Sequence, residues 1–137
     1  MSKLMPCMGV ADTTATTAFY RDLGFVVIDI SGDGQDIHLV KHEGDDCAII
    51  YDGNNLTQWL PELTDSPVGF FGMFYLAVDD FDAMHERVAA NATIVKDTVV
   101  DHNGVKEFYF RDPNGYLIGI NDRASLDKVT GDVEPPA

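Results

Sequence analysis

The amino-acid sequence predicts an α+β fold built from two similar βαβββ modules, and three observations lead to that prediction. The segment 10–25 (VADTTATTAFYRDLGF) is similar to the segment 78–93 (VDDFDAMHERVAANAT), which begins 68 residues later. Each segment has the pattern of a helix that follows a short apolar strand. Three strand-like segments, separated by turn residues, come after each helix.

Each predicted helix has a start and an end that the sequence marks. The first follows Asp12, whose side chain can cap it, and ends before Gly24, which suits a left-handed turn. The second follows Asp80 and ends at Asn91. Helical spacing predicts one apolar stripe per helix. The predicted stripes are Ala15, Ala18, Phe19 and Leu23 in the first helix, and Phe81, Met84 and Val88 in the second.

The strands and the domain organisation follow from turn residues and composition. The predicted strands after the helices are 25–30, 37–42 and 47–52 in the first module, and 93–100, 105–111 and 116–121 in the second. The turn DPNG at 112–115 predicts a hairpin, because proline presets φ at the second turn position and glycine is favoured at the last position of the turn. The 137 residues suit a single domain. Its predicted parts are module 1 at about 3–53, a linker at 54–69, module 2 at about 70–123 and a flexible tail at 126–137.

The charge of the chain disfavours two classes of partner. The formal net charge is −14, and both halves are acidic, with 11 Asp and Glu against 3 Lys and Arg in residues 1–67. Repulsion between like charges disfavours nucleic acid and anionic membranes as partners. An acidic coat, suited to a salty cytoplasm, explains this spread more simply than a cation-binding groove does.

The apolar segments and the N-terminal segment predict a cytoplasmic protein, and this location guides the interpretation of the cysteines. The apolar run at 69–78 is shorter than the ~20 residues that span a bilayer, and the N-terminal segment does not resemble a signal peptide. Cys7 and Cys47 lie in apolar surroundings and are expected to be buried, reduced thiols, with a disulfide as the alternative.

Two motifs resemble one known group of proteins. The segment 10–25 and the segment EFYFRDPNGYLIGI (107–120) resemble the vicinal oxygen chelate superfamily, which includes glyoxalase I, extradiol dioxygenases, fosfomycin-resistance enzymes and bleomycin-resistance proteins. The resemblance covers about residues 3–123. It implies that the two βαβββ modules form a cupped, mostly antiparallel mixed sheet with outer helices, and that the chain forms a homodimer.

The resemblance also implies where a metal ion would bind. In metal-dependent members, His, Gln and Glu ligands come from the first and last strands of each module. The matching positions here hold Met5, Met73 and Gly119, with Ala48 or Ile49 as the less certain fourth. Thioether, hydrogen and alkyl groups are poor ligands for a divalent ion that prefers oxygen. The expectation is therefore that no metal or other cofactor is bound, and a divalent metal is the alternative.

A ligand cavity without catalytic residues is the predicted site. Gly119 is interpreted as a vacated acid position that leaves room for a ligand, or equally as a β-bulge or a close dimer contact. Alternation along strand 105–111 turns Phe108 and Phe110 toward the helix and Tyr109 away from it. The strand parity of His38 with His42 predicts that His38 faces the cavity. The predicted cavity residues are Met5, His38, Trp59, Met73, Tyr75, Tyr109, Leu117 and Gly119, with plain core packing as the alternative for these side chains.

These expectations lead to three functional hypotheses. The first is a metal-free protein of the glyoxalase/bleomycin-resistance type that sequesters or carries a small organic molecule, with a cationic one favoured by the acidic charge. The vacated metal positions favour a protein that is not an enzyme. The second is a metal-dependent enzyme of the glyoxalase, lyase or dioxygenase type. The third is a dimeric structural or regulatory module without a ligand.

Overall fold

The computed structural model describes residues 4–64 and 73–130 and contains two compact units, residues 1–68 and 69–137. Each unit has one four-stranded mixed sheet and follows the order βαβββ. The predicted α+β fold with two such modules is confirmed. None of the helices in the described ranges combines the length and the apolar character needed to cross a lipid bilayer.

The first unit has the sheet order β1-β4-β3-β2. Strand β1 pairs with β4 in parallel, and the other pairs are antiparallel. Its elements are β1 (Cys7–Val10), α1 (Thr13–Asp22), β2 (Val26–Asp29), β3 (Ile37–His42), β4 (Asp45–Asp52), α2 (Gly53–Trp59) and a 3₁₀ turn (Pro61–Leu63).

The second unit repeats this arrangement with the sheet order β5-β8-β7-β6. Strand β5 pairs with β8 in parallel, and the remaining pairs are again antiparallel. Its elements are β5 (Phe74–Val78), α3 (Phe81–Asn91), β6 (Thr93–Val100), β7 (Lys106–Arg111), β8 (Leu117–Asp122) and α4 (Arg123–Thr130).

Helix α1 begins and ends as predicted, but its buried stripe differs from the prediction. The Asp12 side chain accepts a hydrogen bond from the amide of Ala15, and Gly24 has a φ of 94°. Ala15 and Ala18 are exposed, so their assignment to the stripe is wrong, whereas Leu23 is fully buried. The other buried residues of the helix are Thr16, Thr17 and Tyr20.

The hydroxyl groups explain why two threonines replace two alanines in that stripe. Thr16 donates to the backbone oxygen of Asp12, and Thr17 donates to that of Thr14. Each polar atom is therefore satisfied within the helix, and the methyl group is free to pack against the sheet. In α3 the predicted stripe of Phe81, Met84 and Val88 is buried, as expected.

Two segments contain more regular structure than the sequence indicates. Helix α2 and the 3₁₀ turn lie in the segment interpreted as the linker 54–69, and Asp52 caps α2 through the amide of Asn55. Helix α4 occupies the start of the segment interpreted as the tail 126–137. Residues 65–72 and 131–137 lie outside the described ranges.

Hydrogen bonds confirm the predicted hairpin between β7 and β8. Asp112 accepts from the amides of Asn114 and Tyr116, and Gly115 has a φ of 92°. On one side of this hairpin, Phe108 and Phe110 are fully buried. The ring of Phe108 meets that of Phe81 from α3 edge to face, with centroids 5.3 Å apart. The prediction that these two phenylalanines face the helix is therefore confirmed.

Candidate functional site

The face of the second sheet that points away from α3 carries two tyrosines, and we call it the tyrosine face. Residues directly opposite one another in a sheet share a face. Tyr75 of β5 and Tyr109 of β7 both pair with Gly119 of β8. In the next row, Asn121 of β8 pairs with Glu107 of β7. The tyrosine face therefore comprises these five residues with Met73, Ala77, Arg111 and Leu117, together with Lys96 and Val99 of β6, which pair with Tyr109 and Glu107.

Gly119 is a glycine because its neighbours occupy the space of a side chain. A Cβ atom at this position would lie 2.8 Å from two ring carbons of Tyr75 and 2.9 Å from the Cε atom of Met73. Both pairings of Gly119 continue in regular register, so the β-bulge interpretation is wrong. The tyrosine ring and the methionine methyl group fill the volume in which the side chain of the superfamily's acidic metal ligand would begin. The interpretation that Gly119 leaves this space open for a bound molecule is therefore wrong as well.

A directional chain of hydrogen bonds runs across the tyrosine face. The Tyr109 hydroxyl donates to Oε1 of Glu107 at 2.6 Å. The hydroxyl oxygens of Tyr75 and Tyr109 are 3.3 Å apart. Because the Tyr109 hydroxyl hydrogen is already used in the bond to Glu107, Tyr75 is the donor to Tyr109. The two rings meet at 66° with centroids 6.2 Å apart, and the side chain of Tyr75 is 58% exposed.

The surroundings of Tyr109 keep it protonated. Burial, followed by the hydrogen bonds to Glu107 and Tyr75, raises the pKa of Tyr109 well above its ordinary value. At neutral pH this hydroxyl is therefore a hydrogen-bond donor to Glu107 and not a base. Glu107 itself is 7% exposed.

Asn121 adds an unsatisfied polar group next to Glu107. Its side chain is 8% exposed, and its Oδ1 atom has no hydrogen-bond partner in the part of the chain that the structure describes. Neither Glu107 nor Asn121 is among the cavity residues predicted from the sequence. Strand parity with Tyr109 and Gly119 is the signal that finds both, because residues two apart on a strand share a face.

The structure brings five of the eight predicted cavity residues together in the second unit. These are Met73, Tyr75, Tyr109, Leu117 and Gly119. The remaining three belong to the first unit. Met5 is half-buried just before β1, and Trp59 is 72% exposed at the end of α2.

His38 lies on the buried, helix-facing side of the first sheet, away from the side where the sequence analysis expected it. It pairs with the fully buried Ile50. Its Nε2 atom is 2.7 Å from Oδ1 of Asp36, whose other oxygen accepts from the hydroxyl of Thr13 at the start of α1. The Thr13 hydrogen bond is the main cause that lowers the pKa of Asp36. This histidine therefore ties the sheet to a helix.

The two cysteines are free thiols, but their burial differs from the prediction. Cys7 is exposed and Cys47 is half-buried. Cys7 pairs with Ile49 across β1 and β4, as Tyr75 pairs with Gly119 across β5 and β8. This register identifies Ile49, not Ala48, as the position of the first unit that corresponds to Gly119.

The residues at the superfamily's metal positions do not fit a divalent ion. Met73 and Gly119 lie beside each other, but one is a thioether and the other has no side chain. Met5 and Ile49 are no better as ligands, since such an ion needs carboxylate, imidazole or similar donors. Within residues 4–64 and 73–130, no group of three or more His, Cys, Asp or Glu could hold a metal ion.

Solved structures with the same fold cover most of the chain. The hypothetical protein SA1046 from S. aureus has a TM-score of 0.72 at 17% identity, covering 89% of this chain and 94% of that one. An integron cassette protein from the mobile metagenome of V. cholerae has a TM-score of 0.65 at 25% identity, with coverages of 89% and 95%. A bleomycin-binding protein complexed with bleomycin has a TM-score of 0.62 at 19% identity, with coverages of 89% and 98%.

Sequence comparison assigns the family. No curated protein matches the chain significantly. The profile of the Glyoxalase/Bleomycin resistance protein/Dioxygenase superfamily matches residues 4–120, which include all the strands of the first unit and β5 to β7 of the second. The chain belongs to this superfamily.

Proposed function

We propose that this protein binds a small organic molecule without a metal ion and acts as a sequestering or carrier protein. The observation that carries the proposal is the contact of Tyr75 and Met73 with Gly119. At the position where metal-dependent members hold an acid, this chain has an aromatic ring packed on a glycine. A metal-dependent enzyme would need donors that these residues do not provide.

The tyrosine face has the composition of a small-molecule site. Met73 and Leu117 offer apolar contact, and the exposed ring of Tyr75 offers a flat aromatic surface with a hydroxyl group at its end. A few polar groups, Glu107 and Asn121 among them, would fix the orientation of a ligand. The bleomycin-binding protein, a structure with the same fold, was solved with an organic ligand, which agrees with this proposal.

The proposal extends to the assembly and the location of the protein. We propose a homodimer in the cytoplasm, where the free thiols of Cys7 and Cys47 would remain reduced. Exposed apolar side chains on the edge strand β2, including Val26 and Ile28, are available for contact with another chain. Sedimentation of the purified protein at several concentrations measures the assembly directly.

A ligand screen tests the proposed function. The full chain would be titrated with a library of neutral and charged aromatic fragments while amide and side-chain signals are followed by NMR. We expect saturable binding that shifts the signals of Tyr75 and Tyr109. In a test variant, Tyr75→Ala should weaken the binding of the fragments that bind the wild type, because it removes the exposed ring. A library without any binder would overturn the proposal, and so would turnover of a substrate that a chelator abolishes.

A further inference from the structure

We propose that the tyrosine face binds an organic cation that carries N–H donors, such as a protonated amine on an apolar body. The binding groups would be Glu107, Asn121 and the rings of Tyr75 and Tyr109. This inference rests on the proposed function and specifies the class of ligand.

The Glu107 carboxylate has unused hydrogen-bonding capacity in a buried position. It is 7% exposed and accepts the Tyr109 hydroxyl on one oxygen, Oε1. A carboxylate offers about four acceptor sites. No Lys or Arg in the described ranges forms an ion pair with it. Since a buried charge is stable only with partners, this carboxylate is suited to a cation supplied from outside the chain.

The amide oxygen of Asn121 provides a second acceptor beside that carboxylate. It lies opposite Glu107 in the register, in a side chain that is 92% buried, and has no partner among the described residues. A buried acceptor without a donor is unfavourable by itself. An ammonium group can donate to the amide and to the carboxylate at once, which neither a neutral hydrocarbon nor an anion can do.

The nearby cations of the chain do not satisfy Glu107. Arg111, two residues further along β7, donates from Nη1 to the backbone oxygen of Gly115 in the hairpin turn. Lys106, the adjacent residue, is 3.8 Å from Asp82 and lies over the ring of Phe81. Lys96 pairs with Tyr109 in the register and is exposed. Lys96 is therefore the residue whose charge would compete most with a bound cation.

The two tyrosine rings supply the contact for the body of the ligand. They stand at 66° to each other, and the ring of Tyr75 is largely exposed. A cation near such rings is attracted to their faces, and an aromatic or aliphatic body packs against them. The oxygen atoms of Glu107 and Asn121 repel carboxylates and phosphates, so anionic ligands are disfavoured.

Three probes that share a benzyl group test this inference on the unmodified full chain. Benzylammonium carries charge and N–H donors, benzyltrimethylammonium carries charge alone, and benzyl alcohol is neutral. Binding would be followed by NMR on the Asn121 side-chain amide. We expect benzylammonium to bind roughly tenfold more tightly than either of the others, because hydrogen bonds to charged groups are the strong ones. The inference would be overturned if benzylammonium bound no more tightly than benzyltrimethylammonium or no more tightly than benzyl alcohol.

Variants locate the site. Glu107→Gln should lower the affinity for benzylammonium roughly tenfold and leave the affinity for benzyl alcohol unchanged, because the substitution keeps the shape of the side chain and removes its charge. Asn121→Asp should raise the affinity for benzylammonium, since it adds a second carboxylate. Lys96→Gln is the matched control. Because it removes a competing positive charge, it should not lower the affinity for benzylammonium. If Glu107→Gln fails to fold, the comparison of probes on the wild type still decides. An unchanged affinity in a folded Glu107→Gln variant would contradict the inference.

The outcomes separate this inference from the proposed function. If the fragment screen finds neutral binders while benzylammonium shows no preference, the cation site is wrong and the small-molecule function stands. If the screen finds no binder of any kind, both are wrong.

Discussion

The two units share strand order and register, but they carry different chemistry at equivalent positions. In the row of the first unit that corresponds to Gly119, the side chains are apolar or thiol groups, whereas the second unit has tyrosines around a glycine. The row Cys7, Ile49 and Leu39 of the first unit is equivalent to the row Tyr75, Gly119 and Tyr109 of the second. In the next row, Tyr51 and Ile37 are equivalent to Asn121 and Glu107.

This difference shows that the repeated backbone does not determine the site. Ile49 has an ordinary side chain where the second unit has Gly119, and the first unit has an isoleucine where the second has a buried carboxylate. The frame of each unit depends on its buried face. The candidate site depends on a few residues of the other face of the second sheet.

The buried faces also differ, and the largest expected effect comes from that difference. Phe108 pairs with Ile120, and its equivalent in the first unit, His38, pairs with Ile50. We expect Phe108→Ala to lower the free energy of unfolding by about 3–5 kcal/mol, because it leaves a cavity. His38→Ala should lower it by about 1–2 kcal/mol, through the lost contact with Asp36. Urea denaturation measures both values, and equal losses would mean that the two faces do not differ in this way.

The packing of Tyr75 on Gly119 can be tested by a double-mutant cycle. Gly119→Ala should lower the free energy of unfolding by about 1–2 kcal/mol, because its Cβ atom would lie 2.8 Å from the ring. Adding Tyr75→Ala should remove most of that loss, since the ring is then absent. Gly32→Ala is the control, because a Cβ atom there meets nothing within 4 Å. Additive effects of the two changes would contradict the contact.

The raised pKa of Tyr109 predicts a loss of stability in alkali. The unfolded chain releases this proton near pH 10, while the folded chain retains it to a higher pH. The contribution of Tyr109 is therefore complete below about pH 10 and declines as the pH rises above that value. Tyr109→Phe should make the stability of the protein less dependent on pH in this range. Denaturation at a series of pH values measures the slope, and identical slopes for both proteins would contradict the assignment.

The smallest expected effect concerns the first unit. The hydroxyl of Thr13 lowers the pKa of Asp36, so the folded carboxyl loses its charge at a lower pH than the unfolded one. The stabilisation is present above the ordinary pKa of about 4 and is lost as the pH falls through the lowered value. Thr13→Val should reduce this acid dependence. The same denaturation series, extended to acid pH, measures this dependence. If Thr13→Val and the wild type lost stability over the same acid range, the interaction between Thr13 and Asp36 would be contradicted.

Much of the fold could be predicted because helix caps and turns are local. Asp12, Asp80 and the turn at 112–115 act through backbone groups within a few residues, so their roles follow from the sequence around them. The stripe of α1 could not be predicted in the same way. Thr16 and Thr17 become suitable for the interior only because they bond to the helix backbone, and apolar spacing favoured alanines instead.

The candidate site could be predicted only in part. Alternation correctly separated Tyr109 from Phe108, and the matched metal positions put Met73 and Gly119 in one predicted site. The reason for the glycine required the structure, because it depends on how the Tyr75 ring lies. Glu107 and Asn121 were missed because their proximity depends on the pairing of two strands, which the sequence analysis did not use.

At two strand positions that hold a metal in related proteins this chain has Met73 and Gly119, and the ring of Tyr75 packs on the glycine. The most direct test is elemental analysis of the protein after equilibration with Mn²⁺, Fe²⁺, Ni²⁺ and Zn²⁺ and removal of free ions. We expect far less than one ion per chain, and no change when Gly119→Ala is compared with the wild type. One tightly held ion per chain, released by a chelator, would contradict the account.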